Sequence, residues 1–157
     1  MTARACNRCR AQTEMAVVDA AAGEAKPLAI ALRGMRVLAC PKGHRQFVHR
    51  EFPRKLLEHL VKEDEVKLPA GEEHGLLFKR FKCSDCGAEL APKPDHRHTF
   101  SVDVALDDLE PFKVELTMPV YRCPDCQKEQ IHSLKEISKH TPEALAQAFQ
   151  AADIPPA

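Results

Sequence analysis

Apolar residues recur along this chain at two periods. Leu28, Ile30 and Leu32 alternate with Ala29, Ala31 and Arg33, the period of a half-buried strand. Phe100, Val102, Val104 and Leu106 alternate in the same way with Ser101, Asp103 and Ala105. Phe112, Val114, Leu116, Met118 and Val120 alternate with Lys113, Glu115, Thr117 and Pro119. The last two runs predict an antiparallel hairpin with one apolar face. Asp107 to Pro111 would connect them, and Pro119 predicts an edge or the end of pairing. Met15 to Val18 and Met35 to Ala39 predict two shorter strands, with a bend at Gly34. Asp19 to Pro27, rich in Ala, Gly and charge, predicts a loop.

Helical spacing appears twice. Leu56, Leu57, Leu60 and Val61 form one apolar stripe, with Pro53 in the first turn. Its charges oppose the helix dipole, with Arg54 and Lys55 at the start and Glu63, Asp64 and Glu65 at the end. Leu145, Ala148, Phe149 and Ala152 form the second stripe, behind a predicted N-cap at Thr141-Pro142-Glu143. Ser133 and Glu136 match a capping box and predict an added helical turn before it. Lys67-Leu68-Pro69-Ala70-Gly71-Glu72-Glu73 predicts a linker, which divides the chain into residues 1–71 and 72–157.

Cysteine spacing sharpens this picture. Cys83 and Cys86, then Cys123 and Cys126, are two doublets that a hairpin can bring together around one metal ion. Cys6, Cys9 and Cys40 repeat the pattern, but Gly43 stands where the fourth thiol would be. His44, one residue on, can supply the fourth ligand, and His49 competes for that place. The seven cysteines are all used by one Cys₃His group and one Cys₄ group. Two Zn²⁺ per chain are therefore expected, with iron the alternative at the Cys₄ group. Asp95-His96-Arg97-His98 predicts a solvated loop, and His59, His74, His132 and His140 are expected to be isolated and exposed.

Composition adds the partner question. Residues 1–70 carry 13 Lys/Arg against 8 Asp/Glu, a net +5, and residues 71–157 carry 10 against 15, a net −5. Arg45, Arg50, Arg54 and Lys55 are the candidate partner-binding residues, since they follow the first group and an acidic surface would suit them. No nucleophile–base spacing, phosphate loop or paired catalytic carboxylates can be read, so no enzyme is expected. Reduced thiols, no apolar run of membrane length and no signal-peptide core predict a cytoplasmic protein without a membrane span.

The order doublet, hairpin, doublet, helix resembles the YgiT-type zinc finger, the amino-terminal domain of MqsA-like antitoxins. The resemblance is carried by Cys6-x-x-Cys9, by Leu32 to Cys40, by Phe81 to Gly87, by Met118 to Cys126, and by the segment from Ser133 onward. It runs twice along the chain, without the helix-turn-helix domain of that family. It implies structural zinc on the cysteines and contact with a toxin protein. The expected fold is a small metal-stabilised β+α chain of two tandem zinc ribbons, each followed by a helix. The expected role is a protein-binding or regulatory module. The alternative is a nucleic-acid-binding zinc ribbon using the basic first half.

Overall fold

The computed structural model describes residues 4–61, 68–106 and 108–155. It is a small mixed β+α fold with antiparallel sheets and, among the described residues, two helices. β1 (Glu14–Val18) pairs with β4 (Met35–Ala39), and β4 pairs with β5 (Arg45–Gln46). Between β1 and β4 the chain makes a second hairpin, β2 (Ala21–Ala25) with β3 (Leu28–Arg33). α1 (Phe52–Leu60) follows β5. β6 (Glu72–His74) and β7 (Arg80–Lys82) form a hairpin of their own. β8 (His96–Val104), β9 (Phe112–Arg122), β10 (Glu129–Gln130) and α2 (Leu134–Ala151) complete the chain.

The central sheet crosses position 71. β9 pairs with β8 from Phe112 to Val120, and with β3 from Lys113 to Thr117. Leu28, Ile30 and Leu32 thus share a core with Val104, Phe112, Val114 and Leu116, all buried. Aromatic rings extend this core, since Phe47 packs edge-on to Phe149 at 4.8 Å and Phe52 lies 5.8 Å from Phe112. Instead of a free linker, Gly71 N–H donates to Ile131 O at 2.8 Å and Ile131 N–H to Pro69 O at 3.0 Å. Glu72 and Glu73 lie in β6, and Lys67 falls outside the described residues.

The expected loop over Asp19 to Pro27 is instead strand β2 and its turn into β3. Ala21, Gly23 and Ala25 alternate inward, but their small side chains leave no hydrophobic signal. Small residues are needed because α2 lies directly on this strand. A Cβ on Gly23 would sit 2.1 Å from Ala144 O and 2.4 Å from Ala148 N. Both atoms are backbone and cannot step aside as a side chain could. Gly23→Ala should therefore lower stability by about 1–3 kcal/mol, read from chemical denaturation. An unchanged midpoint would show that the helix can shift away.

α2 also differs from expectation. The predicted N-cap at Thr141 is an interior position of one 18-residue helix, with Pro142 inside it. The working cap is Ser133, whose side chain accepts from Glu136 N–H at 3.3 Å. Thr141 is buried and its hydroxyl donates to Ile137 O at 2.8 Å, so it bonds back along the helix rather than starting one. The stripe Leu145, Ala148, Phe149 and Ala152 is buried.

α1 buries Phe52, Leu56 and Leu60, with Pro53 in its first turn, while Val61 is the exposed C-cap. Arg54 at its start is offset by Glu51 and Glu58, which it bonds on either side along the helix. Glu63, Asp64 and Glu65 lie outside the described residues, as does Asp107 of the β8–β9 connection. β8 begins at His96 rather than Phe100, so the predicted loop at 95–98 is mostly strand. β9 continues past Pro119 and offers Val120 opposite His96. Pro119 itself lies beyond Thr117, where pairing to β3 stops. Among the described residues no helix is long and apolar enough to cross a membrane.

Candidate metal centres

Four tight turns carry the cysteines. In three of them the first cysteine's carbonyl accepts from the amide four residues on. These bonds run from Arg10 to Cys6 at 2.9 Å, from Gly87 to Cys83 at 3.1 Å, and from Gln127 to Cys123 at 3.0 Å. The first cysteine's own N–H donates to the carbonyl five residues ahead, on Ala11, Ala88 or Lys128. The residue after the second cysteine is left-handed, with φ of 67° at Arg10, 80° at Gly87 and 66° at Gln127. These turns aim both thiols of a doublet at one point.

The fourth turn is one residue shorter. Gly43 N–H donates to Cys40 O at 2.9 Å, and Cys40 N–H donates to His44 O at 3.0 Å. The left-handed residue is now Gly43, at φ 87°, a conformation that glycine adopts without a Cβ penalty. The slot of the second thiol has become the left-handed slot. A longer side chain just beyond it, His44, reaches back to the cluster.

Cys6, Cys9, Cys40 and His44 place their ligand atoms within 4.8 Å of one another, and so do Cys83, Cys86, Cys123 and Cys126. In the first group Cys6 Sγ is 3.5 Å from His44 Nδ1, and Cys9 Sγ is 3.7 Å from Cys40 Sγ. In the second, Cys83 and Cys126 are 3.6 Å apart and Cys86 and Cys123 are 3.4 Å apart. A tetrahedron with Zn–S bonds of ~2.3 Å has S···S edges of about 3.8 Å. The thiols are all free, and these separations are far beyond a disulfide's ~2.05 Å. Either group could hold a metal ion. In each doublet the first ligand is buried and the second lies nearer the surface.

The electrostatics agree with a cation at the centre. Burial opposes ionisation of Cys6, yet the N–H groups of Arg8 and Cys9 and the His44 ring bring its pKa down to about 6. Cys83 also falls to about 6, through the Cys86 N–H and the Gln130 amide. At Cys126 the Lys128 N–H lowers the pKa, but burial and the thiols of Cys83, Cys123 and Cys86 together push it up to about 12. Cys9 and Cys86 are raised as well, against the N–H groups of Ala11 and Ala88. Each group thus has one thiol drawn toward the thiolate by its hydrogen bonds and at least one whose ionisation neighbouring thiols and burial resist. A bound dication removes that resistance.

Two glutamines complete these centres, and sequence reasoning missed them. Gln46 is buried, accepts from Asn7 N–H at 2.8 Å and donates to Ala5 O at 3.3 Å. Gln130, fully buried, accepts from Ser84 N–H at 2.9 Å and donates to Cys83 Sγ at 3.2 Å. Each glutamine ties the second turn of its group to the first. The available signal was their recurrence, six residues after Cys40 and seven after Cys123. Gln130→Leu strands the Ser84 amide and removes the bond to Cys83. Metal affinity at the second group should fall about 10–100-fold in chelator competition, with the first group unchanged. No change at either group would reduce Gln130 to a packing residue.

The competing histidine lies elsewhere, since His49 Nε2 is 2.7 Å from Asp108 Oδ1. His44→Ala should therefore lose metal from the first group alone, and His49→Ala should keep two ions per chain by elemental analysis. Equal loss from both variants would contradict this placement.

Of the candidate partner-binding residues, Arg45 Nη1 donates to Ala152 O at 2.9 Å, and Arg54 is held by Glu51 and Glu58. Arg50 is exposed, and Lys55 contributes to the positive field at Glu51. His59, His74, His132 and His140 are all partly buried rather than exposed. His132 is stacked between Tyr121 and Phe81, with ring centroids at 3.3 and 4.2 Å, and burial lowers its pKa against a bond to Ala91 O. A third cluster, Asp95, His96 and Glu129, already has a cation, because Arg122 bonds Glu129 at 2.8 Å and lies 3.8 Å from Asp95.

Compared with protein-family models, curated proteins and solved structures, this chain gives no match. Fold and sites define a small β+α protein with two cysteine-rich groups compatible with structural zinc.

Proposed function

We propose that each group holds one structural Zn²⁺, so that the chain is a pair of zinc ribbons joined through a common core, and that the protein serves as a binding module for another protein. Four protein ligands per ion leave no position for water or substrate, which supports a structural rather than catalytic metal. Iron at the Cys₄ group would leave that argument unchanged. A cytoplasmic setting suits the reduced thiols. The resemblance to the amino-terminal domain of MqsA-like antitoxins belongs to this proposal, with a toxin-like protein as the implied partner.

One observation carries the protein contact. Leu76, Leu77 and Phe78 form the tip of the β6–β7 hairpin, Leu76 fully exposed, Leu77 91% and Phe78 80% exposed. Three consecutive large apolar side chains in water are costly, and burying each would return about 1.5–3 kcal/mol. Such a knob fits an apolar groove on a protein surface better than a polyanion. The basic residues of the first half are partly committed within the chain, Arg45 to Ala152 and Arg54 to its glutamates.

The test replaces Leu76, Leu77 and Phe78 together with Ser. Proteins captured from native lysate by the wild type should be lost by the variant, with metal content and circular dichroism unchanged. Identical capture by both would sink the proposal.

A further inference from the structure

Beside the first metal group lies a cavity of about 400 Å³ whose lining includes four arginines, Arg4, Arg8, Arg45 and Arg50. Among the described residues that line it, none is Asp or Glu. The nearest acids in sequence are not in it, since Glu51 is held by Arg54 and Asp153 is not among the lining residues. Four guanidinium groups around one cavity repel each other, and an anion there would relieve the repulsion.

Two of the four are fixed in place. Arg4 Nη2 donates to Phe47 O at 2.5 Å and to Val48 O at 2.7 Å. Arg45 donates to the C-terminal end of α2 at Ala152 O. Each guanidinium has five N–H donors, so both keep donors to spare. Arg8 and Arg50 are exposed; Arg50 adds to the positive field at Glu51, and among the described residues neither side chain is held by a hydrogen bond. The rest of the lining includes the apolar residues Phe47, Ile154 and Pro155, together with Cys6, Asn7 and Gln46.

We propose that this cavity binds the terminal phosphate of a phosphorylated organic ligand. A carboxylate offers one negative charge, whereas a phosphate monoester offers about −1.5 to −2 and three acceptor oxygens that match guanidinium forks. The cavity is within the range of ligand pockets, about 300–1,000 Å³, and exceeds what one phosphate needs. The apolar lining residues take the organic part. Two sources carry this chemistry, a free nucleotide or the 5′-phosphorylated end of a nucleic-acid strand. The site is independent of the protein contact at the β6–β7 tip, so either proposal can fail alone.

The test is calorimetric titration of the metal-loaded full chain at fixed ionic strength. Three probes are used: pyrophosphate, ADP, and an oligoribonucleotide with either a 5′-phosphate or a 5′-hydroxyl. One-to-one binding of at least one phosphate probe is expected. Arg8→Ala and Arg50→Ala, which leave the carbonyl bonds of Arg4 and Arg45 intact, should each weaken it about tenfold or more. Metal content and thermal unfolding should not move. Arg8→Lys, which keeps charge but loses the fork, should fall between wild type and Arg8→Ala. ADP binding more tightly than the phosphorylated oligonucleotide would assign the free nucleotide, and the reverse order the strand end. Three results would each overturn the site: no heat from any probe at about 1 mM, affinities unaffected by both alanine variants, or equal binding of the 5′-phosphate and 5′-hydroxyl strands with neither pyrophosphate nor ADP bound.

Discussion

Stripping the metal ions should melt the turns that carry the second group while the central sheet stays folded. The reason is an unequal division of core. Around the second group only Phe81, Cys83, Leu90, Tyr121 and Cys123 form the buried cluster, and two of these five are ligands. β7 and β10, which flank its turns, have three and two residues. Structural zinc supplies about 10–16 kcal/mol in small zinc-finger peptides, far more than such a cluster can replace. β2, β3, β8 and β9 instead share one large core with both helices. Hydrogen exchange after chelation under reducing conditions should lose protection around residues 81–90 and 121–131 and keep it around 112–118. Complete and simultaneous loss everywhere would mean that the metal, not the shared core, holds the sheet.

Cutting the chain at the sequence-based boundary should be equally severe. Residues 1–71 and 72–157, produced separately, should each fail to fold. Separation breaks the ladder from Ala29↔Thr117 to Arg33↔Lys113. It also uncovers Leu28, Ile30, Leu32, Phe47, Phe52, Val114, Leu116 and Phe149, all buried in the intact chain. At about 1.5–3 kcal/mol each, these eight side chains represent roughly 12–24 kcal/mol, an upper figure because each half would keep some packing. That rivals the whole stability of an ordinary domain, about 5–15 kcal/mol. Amide chemical-shift dispersion of each half, alone and mixed with metal present, reads the result. A well-dispersed spectrum from either half alone would restore two independent modules.

What could be read from the sequence followed the range of each interaction. The two cysteine groups were visible because a turn with a doublet is a local chemical signature, whereas His44 stood beside His49 until the turn after Cys40 was seen to be one residue shorter. β3 and β9 were visible because Leu28, Ile30 and Leu32, and Phe112 to Val120, alternate with large side chains. β2 was not, because Ala21, Gly23 and Ala25 are inward-facing for closeness to α2 rather than for hydrophobicity. The pairing of β3 with β9 was not visible either, since local periodicity says that a face is buried and not against what. Pro142 misplaced the start of α2, because a proline that would suit a first turn also stands inside a helix already capped at Ser133. Gln46 and Gln130 look like ordinary polar residues until the two turns of a group are brought together.

X-ray absorption at the zinc edge, on protein purified without chelator and quantified for metal, tests the two metal groups most directly. Seven sulfurs and one nitrogen divided between two ions give an average shell of 3.5 sulfurs and 0.5 nitrogen. The expected result is two zinc ions per chain with that shell, at about 2.3 Å for sulfur and 2.0–2.1 Å for nitrogen. A metal-free chain with all seven thiols reduced and the turns of the second group still ordered, or a shell dominated by oxygen, would contradict it.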